Sequence, residues 1–167
     1  MTPHIIDDIE RAYGSLSEPR YFAIARRMRE RPYAEFVERL GFEVTDTTDE
    51  NDDVAFFLSL SRGGRQWVLA LSAVAEYAVF ARVAPSTQVW TDVLTATSAG
   101  LPQDERDVIE RVSGIGLRLL DREDLERPVA LNIAGMEPGH VRAYQALFTS
   151  ADIIPWDIEV LRRLGLA

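Results

Sequence analysis

The chain has 167 residues, no cysteine and a formal net charge of −9. This length is typical of one domain, so we expect residues 1–167 to fold as a single unit. The absence of cysteine excludes disulfides, thiolate zinc sites and cysteine nucleophiles. The negative charge argues against nucleic acid or an acidic membrane surface as a ligand, because binding to either depends on neutralising phosphates. The charge permits a basic protein partner, because long-range attraction raises encounter rates, but a need for solubility alone is the simpler explanation of the acidity.

The N-terminal segment has neither the basic start nor the apolar run of a signal peptide. The longest stretch of low charge, residues 66–83, contains Glu76 and Arg82 and alternates like a strand. This pattern argues against a transmembrane helix. We therefore expect a cytoplasmic protein that does not bind membranes.

The first forty residues carry helical signals. A short helix ends at Gly14, and Ser17 is a suitable N-cap for a second helix. Pro32 ends or kinks this second helix, and a further helical piece runs to Gly41. The apolar residues of the second helix recur with the spacing of one buried stripe: Tyr21, Ile24, Ala25 and Met28.

The hydrophobic period changes to two after Gly41, which predicts strands. Two of them, residues 54–62 and 65–72, flank the dipeptide Gly63-Gly64. A two-residue glycine loop fixes the register of such a hairpin. In this register six large apolar side chains share one face and oppose each other in three pairs, Leu60 with Trp67, Leu58 with Leu69 and Phe56 with Leu71.

The meander continues with a strand over Tyr77–Val83, and helices are then expected to dominate. One helix begins after Pro85 and another at Pro102, whereas residues 114–120 fit a helix or a strand equally well. Residues 129–133 are typical of a short strand. The helix after Pro85 is expected to present Val89, Trp90, Val93 and Leu94, and two further helices begin near Pro138 and Pro155.

Together these elements predict an α+β fold, in which an antiparallel meander of three to four strands packs with N-terminal and C-terminal helices. The helices are expected to bury the large apolar face of the hairpin. Trp67, Trp90 and Trp156 each lie on a predicted apolar stripe, so we expect all three to pack in the core.

The sequence contains no motif that indicates catalysis. It has no P-loop, no dinucleotide-binding glycine pattern and no nucleophile elbow. His4 and His140 are far apart, and neither has a second metal ligand at helical spacing. The acidic stretch 45–53 lacks the glycine and the spacing of a calcium loop, which favours a solvated loop. We expect no cofactor, no metal and no catalytic residue.

The second face of the hairpin has an unusual composition for a sheet surface. Its side chains are mostly small and uncharged, whereas a solvent-facing antiparallel sheet usually presents longer polar residues. Either a second layer of helices covers this face, which is the simpler alternative, or a partner or an apolar ligand does. The acidic loop is a further candidate docking site, for an arginine- or lysine-rich partner. The candidate partner-binding residues are Phe57, Ser59, Ser61, Val68, Ala70 and Ser72 on the sheet, and Asp49, Glu50, Asp52 and Asp53 in the loop.

The order of elements from Tyr21 to Phe148, with FFLSLSRGGRQWVLALS in the meander, resembles two groups of small acidic bacterial proteins. One is the YbjN and type III secretion chaperone-like group. The other comprises immunity proteins that neutralise secreted toxins. The resemblance rests on element order, size and charge, and it assigns no role to any residue. It implies a non-catalytic binding protein that is often a dimer.

Three functions are therefore in competition. The first, which we favour, is a bacterial cytoplasmic protein-binding domain of immunity or secretion-chaperone type. The second is a small-molecule-binding protein or cofactor-free enzyme, which an enclosed apolar pocket with a perturbed carboxylate or histidine would favour. The third is a scaffold or self-assembling domain, with a homodimer as one possible form, which an edge strand such as Tyr77–Val83 pairing across a two-fold axis would favour.

Overall fold

The computed structural model describes residues 4–166, and over this range the chain is an α+β protein. The helices are α1 (His4–Tyr13), α2 (Phe22–Glu30), α3 (Ala34–Glu38), α4 (Gln103–Gly114), α5 (Arg122–Glu126), α6 (Ala143–Leu147) and α7 (Ile158–Arg163). The strands are β1 (Glu43–Asp46), β2 (Ala55–Arg62), β3 (Arg65–Ser72), β4 (Tyr77–Val83), β5 (Trp90–Leu94) and β6 (Arg118–Leu119). Every helix in this part of the chain is too short or too polar to cross a lipid bilayer.

The strands belong to one sheet. Strands β1 to β5 follow each other in chain order as an antiparallel meander, and β6 pairs with β4 in parallel. The α+β class is as predicted, but the sheet is larger than the three to four strands expected. The difference comes from β5, which was predicted as helix, and from β6, which lies in a segment that the sequence left open.

The β2–β3 hairpin has the predicted register. Arg62 pairs with Arg65, and Leu60 lies opposite Trp67. Gly63 and Gly64 have φ values of +58° and +77°, the left-handed conformation that a two-residue type I′ loop requires at both positions. The agreement between turn chemistry and side-chain alternation is what made this register predictable.

The face with the large apolar side chains is buried, as predicted. All six of these side chains are at most 6% exposed. Two helical elements reach this face. The Tyr33 ring, just before α3, packs edge-on against Phe56, and the Trp67 indole N–H donates to Glu105 of α4 at 2.9 Å. All three tryptophans are buried, which confirms that they pack in the core.

The second face of the sheet is covered in part by the C-terminal segment. The Ser72 hydroxyl donates to the main-chain oxygen of Leu147 in α6 at 2.6 Å. Ala55, Ala70 and Ser72 have no exposed surface. The chain itself therefore covers this end of the second face. The remaining predicted residues on this face are half-buried: Phe57, Ser59, Ser61 and Val68.

Residues after Pro85 form the strand β5 and not the predicted helix. The Trp90 N–H donates to the main-chain oxygen of Pro155 at 3.0 Å. The Trp90 ring packs against those of Tyr144 and Trp156. These contacts with residues distant in the chain favour the extended conformation, and a local hydrophobic pattern does not reveal them.

The predicted strand at residues 129–133 is also wrong. These residues alternate between buried and exposed, as expected, but the structure assigns them no strand. Their backbone groups are bonded elsewhere: the Asn132 N–H donates to the oxygen of Leu16 at 2.8 Å, and the Val129 N–H to that of Val141. Residues 114–120 combine both alternatives, since α4 continues to Gly114 and β6 follows it.

Strand β4 is an inner strand of the sheet. It pairs with β3 along one side and with β5 and β6 along the other. Tyr77–Val83 is therefore not the edge strand that would favour pairing across a two-fold axis. A homodimer formed through another surface stays a prediction.

Candidate functional site

An open groove lies between α2 and the loop 47–54 that joins β1 to β2. It has a volume of about 790 Å³. Many of the side chains that line it are exposed, so the groove is accessible to solvent and to a macromolecular ligand. This size corresponds to several amino-acid side chains and exceeds what one small ion would need.

The floor of the groove is apolar. Ile24 and Met28 contribute to it from α2, and Val54 and Phe56 contribute from the start of β2. Ile24 and Phe56 are at most 6% exposed and also belong to the core, whereas Met28 is half-buried. An apolar side chain that displaces water from such a floor makes the free energy of binding more favourable.

The groove explains why the apolar stripe on α2 is only partly buried. Tyr21 is 42% exposed and Ala25 is exposed, whereas the sequence predicted that both would be buried with Ile24. Within the stripe, Ile24 also packs in the core, whereas Tyr21 and Ala25 face the open groove. The helix also starts later than predicted, at Phe22, so Ser17 is not its N-cap.

Both signs of charge border the groove, with carboxylates in excess. The four acidic side chains lie on β1 and the following loop, and the two basic ones lie on and just after α2. An excess of carboxylates at a partly apolar surface favours a ligand that is both apolar and cationic. The charged groups are Asp46, Glu50, Asp52, Asp53, Arg29 and Arg31.

Hydrogen bonds hold the acidic loop in shape. The Asp49 carboxylate accepts from the Asn51 N–H at 2.9 Å, and the Asp49 N–H donates to the Asp53 carboxylate at 2.6 Å. The Ser150 N–H donates to the main-chain oxygen of Asp52 at 2.7 Å and ties the loop to the C-terminal segment. The loop therefore presents its carboxylates from a fixed backbone.

Asp53 is the most enclosed of the loop carboxylates. Burial raises the pKa of its carboxyl above the ordinary value, and hydrogen bonds from Asp49 and Thr149 oppose that rise. Because the loop backbone already uses this carboxylate as an acceptor, Asp53 supports the wall of the groove as well as contributing charge to it.

A second, smaller groove adjoins the first. It has a volume of about 320 Å³ and lies between α3 and the first two strands. The two grooves share Arg31, Asp46 and Phe56. At their junction the Arg31 guanidinium donates to the Asp46 carboxylate at 2.5 Å. This ion pair joins the helical side of the junction to the sheet side.

Two aromatic side chains stand near the start of α2. Phe22 is 75% exposed, which is the largest exposed fraction among the large apolar residues of the described chain. Tyr21 lines the groove and packs edge-on against Tyr13, with ring centroids 5.4 Å apart. Exposed aromatic residues beside a groove are typical of sites that bind other proteins.

The structure places the predicted loop residues at the groove. Glu50, Asp52 and Asp53 line it, and Asp49 holds the loop through its hydrogen bonds. These residues meet Arg29 of α2 across the groove, a juxtaposition that the sequence did not indicate.

The predicted sheet residues lie elsewhere. Phe57 follows Phe56 in β2, so its side chain is on the opposite face of the sheet from the groove. None of the six sheet residues lines the described groove. Ala70 and Ser72 are fully buried and present no surface to a partner. The accessible remainder is half-buried and uncharged: Phe57, Ser59, Ser61 and Val68.

The histidines lie outside both grooves. His140 is exposed, 3.8 Å from the Glu137 carboxylate and 3.7 Å from that of Asp152. His4 is exposed on α1. Over residues 4–166, no three histidine or acidic side chains lie close enough together to hold a metal ion.

Comparison with known proteins identifies no relative: no family model, no curated protein and no solved structure matches the chain. The groove's own geometry and chemistry are therefore what indicate a function.

The sequence did not indicate that α2 faces the acidic loop across a groove. The sequence features that relate to the groove are an arginine-rich helix and an acidic loop within one small chain, together with an apolar stripe on the helix. Such a stripe marks a face that is partly removed from water, but it does not tell a packed core from an open groove. Only the three-dimensional arrangement brings Arg29 and Arg31 opposite the loop carboxylates.

Proposed function

We propose that this chain is a non-catalytic protein-binding domain, of bacterial immunity or secretion-chaperone type, that holds a segment of a partner protein in the groove beside α2. The observation that carries the proposal is the open groove with an apolar floor and an excess of carboxylates. The net charge of −9 supports it, because long-range attraction speeds the approach of a basic partner.

The groove also defines the chemistry of the partner segment. An apolar side chain would contact Met28 and Phe56 on the floor, and a neighbouring arginine or lysine would meet the carboxylates of Glu50 and Asp52. Phe22 and Tyr21 would extend the contact beyond the groove, because aromatic residues supply much of the binding energy in protein interfaces. The proposed ligand is therefore a basic, partly apolar segment.

The uncharged sheet surface is not part of the proposed groove site. Phe57 and Val68 lie on the opposite face from the groove, so one short segment does not contact both areas. The groove is the primary site, and the half-buried part of the sheet surface is at most a second contact for a large partner.

Labelled synthetic peptides and fluorescence anisotropy test the proposal directly. Three short peptides alternate leucine with arginine, glutamate or serine. We expect the arginine peptide to bind most tightly and the glutamate peptide least. Replacing the exposed groove residue Ala25 by tryptophan should fill the groove and weaken arginine-peptide binding by about tenfold or more.

Ala23 provides the matched control. It is exposed on the same helix but does not line the groove, so Ala23→Trp adds the same bulk in the wrong place and should leave binding unchanged. Equal effects of the two substitutions, or equal binding of the three peptides, would contradict the proposal. A photo-crosslinker in place of Tyr21, which already lines the groove with an aromatic ring, and the same group at position 23 as control, then identify the native partner.

Asp53 gives a specific reason to test a second function. Its raised pKa, in a groove between a helix and the sheet, is what a small-molecule-binding protein or cofactor-free enzyme would show. The groove is open and not enclosed, which favours the protein ligand. A panel of metabolites that raises the melting temperature of the wild type but not of Ala25→Trp would support the second function instead.

A further inference from the structure

We infer that Arg31 is an internal competitor, which occupies Asp46 in the free protein and gives way to a basic side chain of the bound segment. The inference rests on the proposed function and deepens it, because it assigns Asp46 as a further acceptor for a cationic group of the partner, beside Glu50 and Asp52, and gives a mechanism that limits weak ligands.

The position of the ion pair is the first argument. Arg31 and Asp46 are shared by both grooves and lie at their junction, above Phe56. A chain that continues from the larger groove into the smaller one has to pass this point. The Arg31 guanidinium is 2.5 Å from the Asp46 carboxylate, so a cation on that chain competes with it for the same acceptor.

The side chain of Asp46 is held much more firmly than that of Arg31. The Oδ1 atom of Asp46 accepts from the Thr48 N–H at 3.0 Å, which fixes the carboxylate and directs Oδ2 to the guanidinium. Arg31 reaches Oδ2 with a long side chain that is 60% exposed. Asp46 is therefore the fixed acceptor, and Arg31 is the group that can be exchanged.

The backbone of Arg31 is the third argument. Arg31 has φ +50° and ψ +61°, and it is the only residue other than glycine with a positive φ in residues 4–166. It also precedes Pro32, which restricts its conformation further. Strained residues of this kind occur at functional sites, where the surrounding structure holds them in place. Arg31 is also the C-cap of α2, so the left-handed conformation ends the helix at the residue whose side chain pairs with Asp46.

Exchange at this site is energetically easy. Both side chains are substantially exposed, 60% for Arg31 and 41% for Asp46, and exposed ion pairs contribute little to stability. A partner's arginine that also gains contact with the apolar floor would displace Arg31, whereas an isolated cation in solution would not. The pair thus selects ligands that are apolar as well as basic.

The arginine peptide and four variants test the inference by anisotropy. Arg31→Gln should raise the affinity about two- to fivefold, because the competing cation is gone. Arg26→Gln is the matched control, since Arg26 carries the same charge on α2 but does not line the groove, and its effect should be less than about twofold. Asp46→Asn should lower the affinity, and in that background Arg31→Gln should have no further effect.

The outcomes separate this inference from the proposed function. If Ala25→Trp does not weaken binding, the groove is not the site and both fail. If Ala25→Trp weakens binding but Arg31→Gln and Arg26→Gln raise the affinity equally, or Arg31→Gln still acts in the Asp46→Asn variant, only the competitor role of Arg31 is overturned. The thermal stability of each variant without peptide shows whether it is folded.

Discussion

At the scale of single residues, a buried carboxylate between the sheet and α4 has the strictest need for hydrogen-bond partners. Glu105 is 1% exposed and accepts from the Trp67 indole and from two guanidinium nitrogens of Arg82, at 2.9, 2.7 and 2.7 Å. Arg82 lowers the pKa of the Glu105 carboxyl, and Glu105 raises the pKa of Arg82. These bonds attach α4 to the buried face of the sheet.

We predict that Glu105→Gln destabilises the protein by about 2 kcal/mol or more. The amide keeps the volume of the side chain but removes the buried charge that pairs with Arg82, which leaves only the exposed Asp92 carboxylate, 3.5 Å away, as a charged partner of that guanidinium. Breaking one side of a buried pair is costly. Urea denaturation provides the free energy of unfolding. Glu110→Gln, on the exposed side of the same helix, is the control and should change it by less than about 0.5 kcal/mol.

Glu105→Gln should also change how the free energy of unfolding depends on pH in the acid range. Because the pKa of Glu105 is lowered on folding, its stabilising contribution is present above the unfolded-state pKa of about 4.3 and is lost as pH falls through the folded-state pKa. The stability difference between wild type and Glu105→Gln should therefore shrink as the pH falls below about 4. A difference that stays constant down to the acid transition would show that Arg82 does not stabilise the charged form.

At the scale of elements, the sequence was most informative where two local signals agreed. The β2–β3 hairpin was predictable because its glycine loop and its alternation independently require the same register. Strand β5 was not, because Val89, Trp90, Val93 and Leu94 fit an apolar helical stripe as well as a strand. Trp90 decides between helix and strand, because it contacts Tyr144, Trp156 and Pro155. These residues are more than fifty positions away in the chain.

The candidate site was predictable only in part, for a related reason. The carboxylates of Glu50, Asp52 and Asp53 were selected from local composition, and they line the groove. Arg31 and Asp46 were not selected, because their role depends on a contact between two elements that are not neighbours in the sheet or on one helix. Ala70 and Ser72 were selected, but α6 lies over that end of the sheet and removes them from the surface.

The hairpin loop offers a direct test of why its register is fixed. Gly64 has φ +77°, and a Cβ atom there would meet nothing within 4 Å, so any cost of substitution is conformational and not steric crowding by neighbours. We predict that Gly64→Val destabilises the protein by about 2 kcal/mol, since a β-branched residue disfavours this conformation, and that Gly64→Asn costs clearly less. Equal midpoints of urea unfolding for the two variants would contradict this account of the turn.

At the scale of the whole molecule, the net charge of −9 and the local excess of carboxylates in the groove act in the same direction on a basic ligand. Attraction between exposed charges is screened by salt, whereas contact with the apolar floor is not. The two contributions should therefore appear in different rate constants: the long-range field in association, and the apolar contact in dissociation.

We predict that the association rate constant of the arginine peptide falls by about tenfold between about 0.02 M and about 0.5 M salt, while its dissociation rate constant changes by less than about threefold. Stopped-flow anisotropy measures both. The serine peptide is the control, because it presents the same leucines without charge, and its association should hardly depend on salt. If salt instead acts mainly on the dissociation of the arginine peptide, then close ion pairs and not the field of the whole chain govern the recognition of basic ligands.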